Sequence, residues 1–250
     1  MAQKYYVVWK GRETGVFNDW STCKKHIDHF PGARYKSFKT LSDARAAFEG
    51  VTNSSSASSV TKKKTGIKTY TAADIQTIDV DIKIFTDGGC EPNPGEAGSG
   101  IAVYRNEQVA ELWYGLYNPK GTNNTAELNA LFQAMIMAKE ELNEGHSVAI
   151  FCDSKYSIQC VTQWAAGWEK KGWKKAGGEI KNLALIQKMF ALYQELKSKL
   201  QILHVNGHVG VEGNELADRM SILAIEKQDP DFVKYTDVID IKSLLAKRSG

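Results

Sequence analysis

The sequence predicts an α/β chain in two parts, a small α/β unit followed by a larger α/β domain. Three observations predict it. Two apolar runs, residues 82–86 and 148–152, read as strands, with helical periodicity between and after them. Residues 53–59 (Asn-Ser-Ser-Ser-Ala-Ser-Ser) have no apolar period and read as flexible coil. The charge also changes sign across that coil. Residues 1–50 carry +4 and 51–78 carry +3, whereas 79–226 carry −5 and 227–250 carry +1. The net charge of +3 over 250 residues is thus a cancellation.

In the first part, residues 4–9 (Lys-Tyr-Tyr-Val-Val-Trp) are aromatic and β-branched and read as a strand. Gly11 and Gly15 bracket a turn, and Val16-Phe17 opens a second strand. Asp19 or Ser21 caps a short helix reaching about Phe30, and Pro31-Gly32 breaks it. Residues 34–38 return as an extended stretch. Ser42 caps a second short helix through Phe48, stopped by Gly50. Tyr6, Trp9, Trp20, Tyr35 and Phe38 interleave with Lys10, Arg12, Lys24, Lys25, Arg34 and Lys36. Two readings fit that pattern. The aromatics form a tiny core solvated by the cations, or they stack on bases while the cations meet phosphates. Lys62-Lys63-Lys64, after the Ser-rich coil, is either a solvated run or a phosphate or localisation signal.

In the second part, residues 82–86 alternate as a strand that ends at Asp87, before Gly88-Gly89 and the turn Asn93-Pro94-Gly95. A Thr/Asn cluster at 122–125 caps a helix with Leu128, Leu131, Ala134, Met135 and Ala138 on one face, and Glu127 lies in its first turns. The apolar run 148–152 ends at Asp153, and a helix follows. Asp218 stands at a helix start after the His204–His208 stretch. Asp229-Pro230 breaks the last helix, and residues 232–250 hold some apolar content that either packs on the domain or binds a partner.

Composition bounds the possibilities. Hydrophobic residues at 42% and charged residues at 24% permit a packed core and exclude wholesale disorder. Cys23, Cys90, Cys152 and Cys160 form no CxxC pair and no Cys/His cluster with zinc spacing. Cys152, inside an apolar run, reads as a buried thiol. The start Met-Ala-Gln-Lys-Tyr-Tyr shows no apolar leader, and no apolar run approaches the length of a membrane span. The expectation is a soluble protein of a reducing compartment, without a membrane partner.

The carboxylates carry the chemistry. Asp87 and Asp153 each follow a strand run, and functional groups in α/β sheets gather at the carboxyl ends of strands. Each alone reads as a turn or cap residue. Packed together they repel, so a proton or a cation must intervene. Oxygen ligands without Cys favour magnesium or manganese, and two such ions suit phosphodiester cleavage.

Resemblances sharpen both parts. Residues 4–12, 14–17, Trp20 and 30–38 closely resemble the hybrid-binding domain found before many type 1 ribonucleases H and in viroplasmins. That resemblance implies nucleic-acid contact by Tyr6, Trp20 and Tyr35 and phosphate contact by Lys36, with Ser37 standing where many members have a second lysine. Thr86-Asp87-Gly88-Gly89-Cys90, Asn93-Pro94-Gly95, Thr122-Asn123-Asn124 with Ala126-Glu127-Leu128, Cys152-Asp153-Ser154, residues 204–208 and residues 213–218 resemble type 1 ribonuclease H in family order. The implied fold is a ribonuclease H-like mixed five-stranded sheet with flanking helices. The implied layout is a hybrid-binding domain over 1–50, a linker over 51–78, a catalytic domain over 79–226 and an extension over 227–250.

The implied activity is hydrolysis of the RNA strand of RNA–DNA hybrids with two Mg2+ ions, Mn2+ substituting, leaving 5′-phosphate and 3′-hydroxyl ends. Asp87, Glu127, Asp153 and Asp218 match the metal-binding carboxylates. His208 matches a mobile-loop histidine that handles protons or product release. His204 reads as structural, and Glu215 as a supporting or capping group. Asn93, Asn123 and Asn124 match ribose contacts, where amides both donate and accept. Tyr156 and Trp164 match aromatics flanking the DNA strand, and Lys120, Thr122 and Asn182 a phosphate pocket on it. Residues 164–182 carry five lysines among Trp164, Trp168 and Trp173 and resemble the family's basic protrusion.

The expected partner is therefore the hybrid duplex, bound by a monomer. The expected location is the cytoplasm in a bacterium, or the nucleus or mitochondrion in a eukaryote. A non-catalytic hybrid-binding scaffold is the second reading, disfavoured by the intact carboxylate set. A DNA nuclease or integrase of the wider superfamily is the third, disfavoured by the asparagines.

Overall fold

The computed structural model describes residues 4–28, 30, 32–38, 40–48, 67–175, 177–207 and 210–250. The chain divides into two compact units, with the boundary between residues 64 and 65. The Ser-rich coil, Lys62-Lys63-Lys64, Pro31, Gly50 and His208 lie outside the described residues.

The first unit is a three-stranded antiparallel sheet with β1 (Tyr5–Lys10) between β2 (Gly15–Phe17) and β3 (Arg34–Phe38). Helix α1 (Trp20–Ile27) starts where the Asp19 carboxylate accepts the Thr22 amide at 2.8 Å. Its apolar side sends Cys23 and Ile27 against Val8, with Tyr6, Phe17 and Ala33 closing the cluster. Helix α2 (Leu41–Phe48) follows β3, and the Trp9 indole donates to the Ala47 carbonyl at 3.1 Å. The core is small, as expected of so short a unit.

The second unit is built on a seven-stranded mixed sheet. The expected five strands form its centre: β5 (Ile82–Glu91), β6 (Gly95–Arg105) and β7 (Gln108–Gly121) as an antiparallel meander, then β8 (Val148–Cys152) and β9 (Gln201–Val205) parallel to β5. Strand alternation divides the core between two faces. Ile82, Ile84, Ile101, Val103, Val148 and Ile150 face α4 (Asn123–Asn143) and α7 (Leu183–Leu196). Phe85, Ala102, Tyr104, Ala149 and Phe151 face α8 (Glu212–Lys227). Between β8 and α7 run α5 (Lys155–Gln159), a π-helical turn (Cys160–Trp164) and α6 (Ala165–Glu169).

Two short strands extend the sheet at its edges; the first revises the sequence reading and the second selects one of its two alternatives. Residues 67–78, read as part of the linker, form β4 (Thr69–Tyr70), parallel to β9, and α3 (Ala72–Gln76). Thr71 and Asp74 close a capping box on α3, and Ile75 is buried among Phe85 and Val211. Residues 227–250 also belong to this unit. Strand β10 (Phe232–Lys234) pairs antiparallel with β7, Phe232 stacking on Trp113, and α9 (Ile241–Leu245) buries Leu244 in the α8-side core. Periodicity misses both edges because strands of two or three residues show none. Among the described residues no helix is long and apolar enough to cross a membrane.

Candidate active site

Four expected carboxylates of the second unit line a common pocket of about 490 Å3: Asp87 from β5, Glu127 from α4, Asp153 just after β8, and Asp218 from α8. Asp87 is not the last residue of its strand, as its sequence context suggested. Strand β5 continues to Glu91 because Gly88 and Gly89 still pair with Ser99 and Gly98 of β6. Only the parallel neighbour stops, the β5–β8 ladder closing at Thr86 and Cys152. Asp87 and Asp153 therefore stand together at the carboxyl end of the parallel pair. Asp218 is not at a helix start either. It lies in the second turn of α8, where it faces the sheet.

Close backbone approach sets the spacing. A Cβ on Gly88 would lie 2.1 Å from the Glu127 backbone nitrogen, so only glycine lets the first turns of α4 meet β5. The Ser99 hydroxyl donates to the Ala126 carbonyl at 2.9 Å and fixes that contact. On the other face, a Cβ on Gly100 would lie 2.1 Å from the Ala217 carbonyl oxygen, which seats Asp218 beside β5.

The electrostatics are severe. Asp87 is 7% exposed and Glu127 6%. Burial, then the charges of Asp153 and Asp218, push the Asp87 carboxyl up to about 8 from an ordinary 3.8. Burial, with Asp87 and Asp153 beside it, holds Glu127 well above its usual range. The Ser221 hydroxyl donates to Asp87 Oδ2 at 2.8 Å, and the Asn214 amide donates to Asp153 Oδ2 at 3.3 Å. The Arg219 guanidinium pairs with Asp218. Glu127 Oε2 is buried with no hydrogen-bond partner. Ser221, Asn214 and Arg219 were not assigned roles from sequence. Their spacing from Asp218 on a helix was the available signal. Cys152, close to Glu127 and Asp153, is a fully buried thiol that burial keeps protonated.

His204 has the structural role expected of it. Its Nε2 lies 3.1 Å from the Asp153 carbonyl, which only accepts, so Nε2 carries the proton. Nδ1 then accepts from the Thr69 hydroxyl at 2.8 Å. Burial lowers the pKa of this ring, consistent with a neutral imidazole. Glu215 is not in the lining of the carboxylate pocket and accepts the Gly210 amide at 3.0 Å, just before α8.

A second pocket of about 510 Å3 gathers Asn93, Thr122, Asn124, Thr125, Tyr156, Lys181 and Asn182. Asn123 lines the carboxylate pocket, and its backbone amide donates to the Asn93 side chain at 3.2 Å, joining the two. The Thr125 hydroxyl donates to the Asn182 side-chain oxygen at 3.1 Å and lies 2.8 Å from the Thr122 hydroxyl. Lys120, expected in this group, is exposed and outside the pocket lining, while Lys181 takes a place there. Trp164 is half exposed, edge-on to Tyr156 at 6.1 Å. Of the lysine-rich stretch, Lys170, Lys171, Lys174 and Lys175 are exposed while Trp168 and Trp173 pack on the core.

In the first unit Tyr6, Trp20 and Tyr35 form a continuous ring cluster, with centroids 5.4 and 5.8 Å apart. Trp20 is 44% and Tyr35 47% exposed, more than a closed core would leave. Lys36 is not brought to them. It pairs in register with Val7, on the opposite sheet face from Val8 and Tyr35, and its ammonium lies 5.7 Å from the Phe38 ring. Alternation along β3 thus places Ser37, not Lys36, on the aromatic side.

Comparison with known proteins agrees with this architecture. Residues 79–226 match the family described as RNase H, and residues 4–48 match the ribonuclease H1 N-terminal domain. The chain is 30% identical to mouse (Mus musculus) ribonuclease H1, covering 87% of both chains. It is 37% identical to a ribonuclease H of Methylorubrum extorquens over 56% of this chain, spanning 58% of that protein. The solution structure of the PFV RNase H domain superposes with a TM-score of 0.51 at 22% identity, over 61% of this chain and 98% of that domain. The RNase H match over more than half the chain, with the N-terminal match in front of it, places the protein in the ribonuclease H family, as a type 1 enzyme carrying the ribonuclease H1 N-terminal domain.

Proposed function

We propose that the protein hydrolyses the RNA strand of RNA–DNA hybrids with divalent cations held by Asp87, Glu127, Asp153 and Asp218, and that its N-terminal unit binds the same duplex. The convergence of those four carboxylates on one pocket carries the reading. Such a pocket repels a phosphodiester unless cations stand between. The residues fit that need. All four are hard oxygen donors, and Glu127 Oε2 is buried without a hydrogen-bond partner. Burial first, and then neighbouring carboxylates, push Asp87 and Glu127 upward, a strain that bound cations would relieve. Two Mg2+ ions, with Mn2+ as substitute, would supply an acidified water and positive charge at the phosphate and leaving oxygen.

The chain's own groups do the rest. Ser221 and Asn214 orient the oxygens of Asp87 and Asp153. Asn93, Asn123 and Asn124 face the ribose 2′-hydroxyls and distinguish RNA from DNA. Thr122, Asn182 and Lys181 hold a DNA phosphate, with Tyr156 and Trp164 flanking that strand and Lys120 at its margin. Water attacks phosphorus while the bond to the ribose 3′ oxygen breaks. That oxygen leaves with a proton as 3′-hydroxyl, so the new ends are 5′-phosphate and 3′-hydroxyl. His208 serves the proton traffic or product release. Tyr6, Trp20 and Tyr35 offer a stacking surface, with Lys36 a separate phosphate contact. One chain supplies every group, which supports a monomer.

The test is cleavage of matched RNA–DNA hybrid, double-stranded RNA and double-stranded DNA in Mg2+. The hybrid alone is expected to be cut, in its RNA strand. Asp153→Asn is expected to cost more than about hundredfold, the upper cost of losing an outer-sphere contact. Cleavage of double-stranded DNA at a similar rate, or a fully active Asp153→Asn protein, refutes the reading.

A further inference from the structure

The C-terminal extension forms part of the wall of the carboxylate pocket. Leu244, 1% exposed, anchors α9 in the core. Arg219 ties the two together, one nitrogen pairing with Asp218 and another donating to the Leu245 carbonyl at 3.3 Å. Beyond α9 the chain returns to the site. The Gly250 amide donates to Asp218 Oδ1 at 3.0 Å, and the Arg248 guanidinium pairs with Glu91. Arg248, Ser249 and Gly250 line the same pocket as the four carboxylates.

Among the described residues lining that pocket, the charged groups are Asp87, Glu91, Glu127, Asp153, Asp218 and Arg248. Arg248 is the one cation. Building on the hybrid-cleavage reading above, we propose that Arg248 is a substrate-binding residue that grips a phosphate of the cleaved strand. A guanidinium offers two parallel N–H donors that match two phosphate oxygens, and it remains charged at any working pH. Its partner in the free protein is easily exchanged. Glu91 and Arg248 are each more than half exposed, and such surface pairs contribute little. Glu91 therefore parks the guanidinium at the pocket mouth, and an arriving phosphate takes it over. The Gly250–Asp218 and Arg219–Leu245 hydrogen bonds fix the segment on both sides of Arg248, so the side chain is delivered by an anchored strap.

The experiment is steady-state cleavage of an RNA–DNA hybrid by the full chain, wild type beside Arg248→Ala and Arg248→Lys, at several salt concentrations. Arg248→Ala is expected to raise KM about tenfold, with kcat within about twofold, as for a lost charged contact to phosphate. The slope of log kcat/KM against log salt should flatten by about one, the signature of one lost phosphate contact. Arg248→Lys should restore the slope but only part of KM, since charge returns without the fork.

Unchanged KM and slope in Arg248→Ala overturn the assignment. So does a lower KM, which would make the strap an obstruction, or a fall in kcat and thermal midpoint with KM unmoved, which would make it structural. The wild type separates the two readings. If it cleaves hybrid and Arg248→Ala matches it, only the Arg248 assignment falls. If it leaves hybrid intact, the proposed function falls and takes this assignment with it.

Discussion

Removing the metal should make this fold less stable as pH rises, and Asp87→Asn should cancel much of that loss. In the folded, metal-free protein burial and Asp153 and Asp218 push Asp87 up to about 8, against 3.8 for an ordinary aspartate. An acid with a raised folded-state pKa gives full stability below its unfolded value and loses stability as pH climbs toward the folded one. Between pH 5 and pH 7 the unfolded carboxyl is ionised and the folded one is protonated. Each pH unit in that window costs about 1.4 kcal/mol, so Asp87 accounts for on the order of 3 kcal/mol. For a unit of this size that corresponds to about 6–12 °C in midpoint.

Asparagine keeps the side chain's shape and an acceptor for Ser221 but does not titrate. The assay is urea unfolding of wild type and Asp87→Asn in chelator at pH 5, 6 and 7. The stability difference should move by on the order of 3 kcal/mol in the variant's favour from pH 5 to pH 7. Adding Mg2+ should recover wild-type stability at pH 7 far more than the variant's. A difference that stays flat across those pH values refutes the argument that the site is charge-starved without metal.

Gly88→Ala should destabilise the catalytic unit by on the order of 3 kcal/mol and lower cleavage sharply, because the new methyl meets the Glu127 backbone. Urea unfolding and hybrid cleavage measured together check it, and wild-type behaviour in both contradicts the close-approach account. Trp20→Ala should weaken hybrid binding by the full chain about tenfold, as loss of one stacking platform does, with kcat at saturating substrate unchanged. Fluorescence anisotropy with labelled hybrid reads it, and unchanged affinity would return the aromatic cluster to a purely structural role.

What the sequence showed and what it concealed divide along physical lines. The runs at 82–86 and 148–152 were legible because a buried strand writes its environment into consecutive residues. The carboxylates were legible only as a set, since each alone reads as a turn or cap residue and the motifs gain meaning from their joint order. The continuation of β5 past Asp87 was not, since Gly88 and Gly89 have poor strand propensity and are held by β6. Ser221 and Asn214 acquire their roles only when α8 is laid against β5 and beside Asp153. Lys36 shows what adjacency in sequence leaves out. Its neighbours in sequence suggest an aromatic and basic surface, but a period of two sends it to the other face.

The hydrogen bond between Thr69 and His204 has a consequence for where the catalytic unit begins. His204 is buried, and its two nitrogens are divided between the Thr69 hydroxyl and the Asp153 carbonyl. A fragment cut at residue 79, where the family match starts, would lose β4, α3 and the Thr69 hydroxyl together. The imidazole Nδ1 would lose its Thr69 partner, and with it a restraint on the ring whose other nitrogen holds the Asp153 carbonyl. The fold of the catalytic unit therefore reaches back at least to Thr69, ten residues before the RNase H match begins.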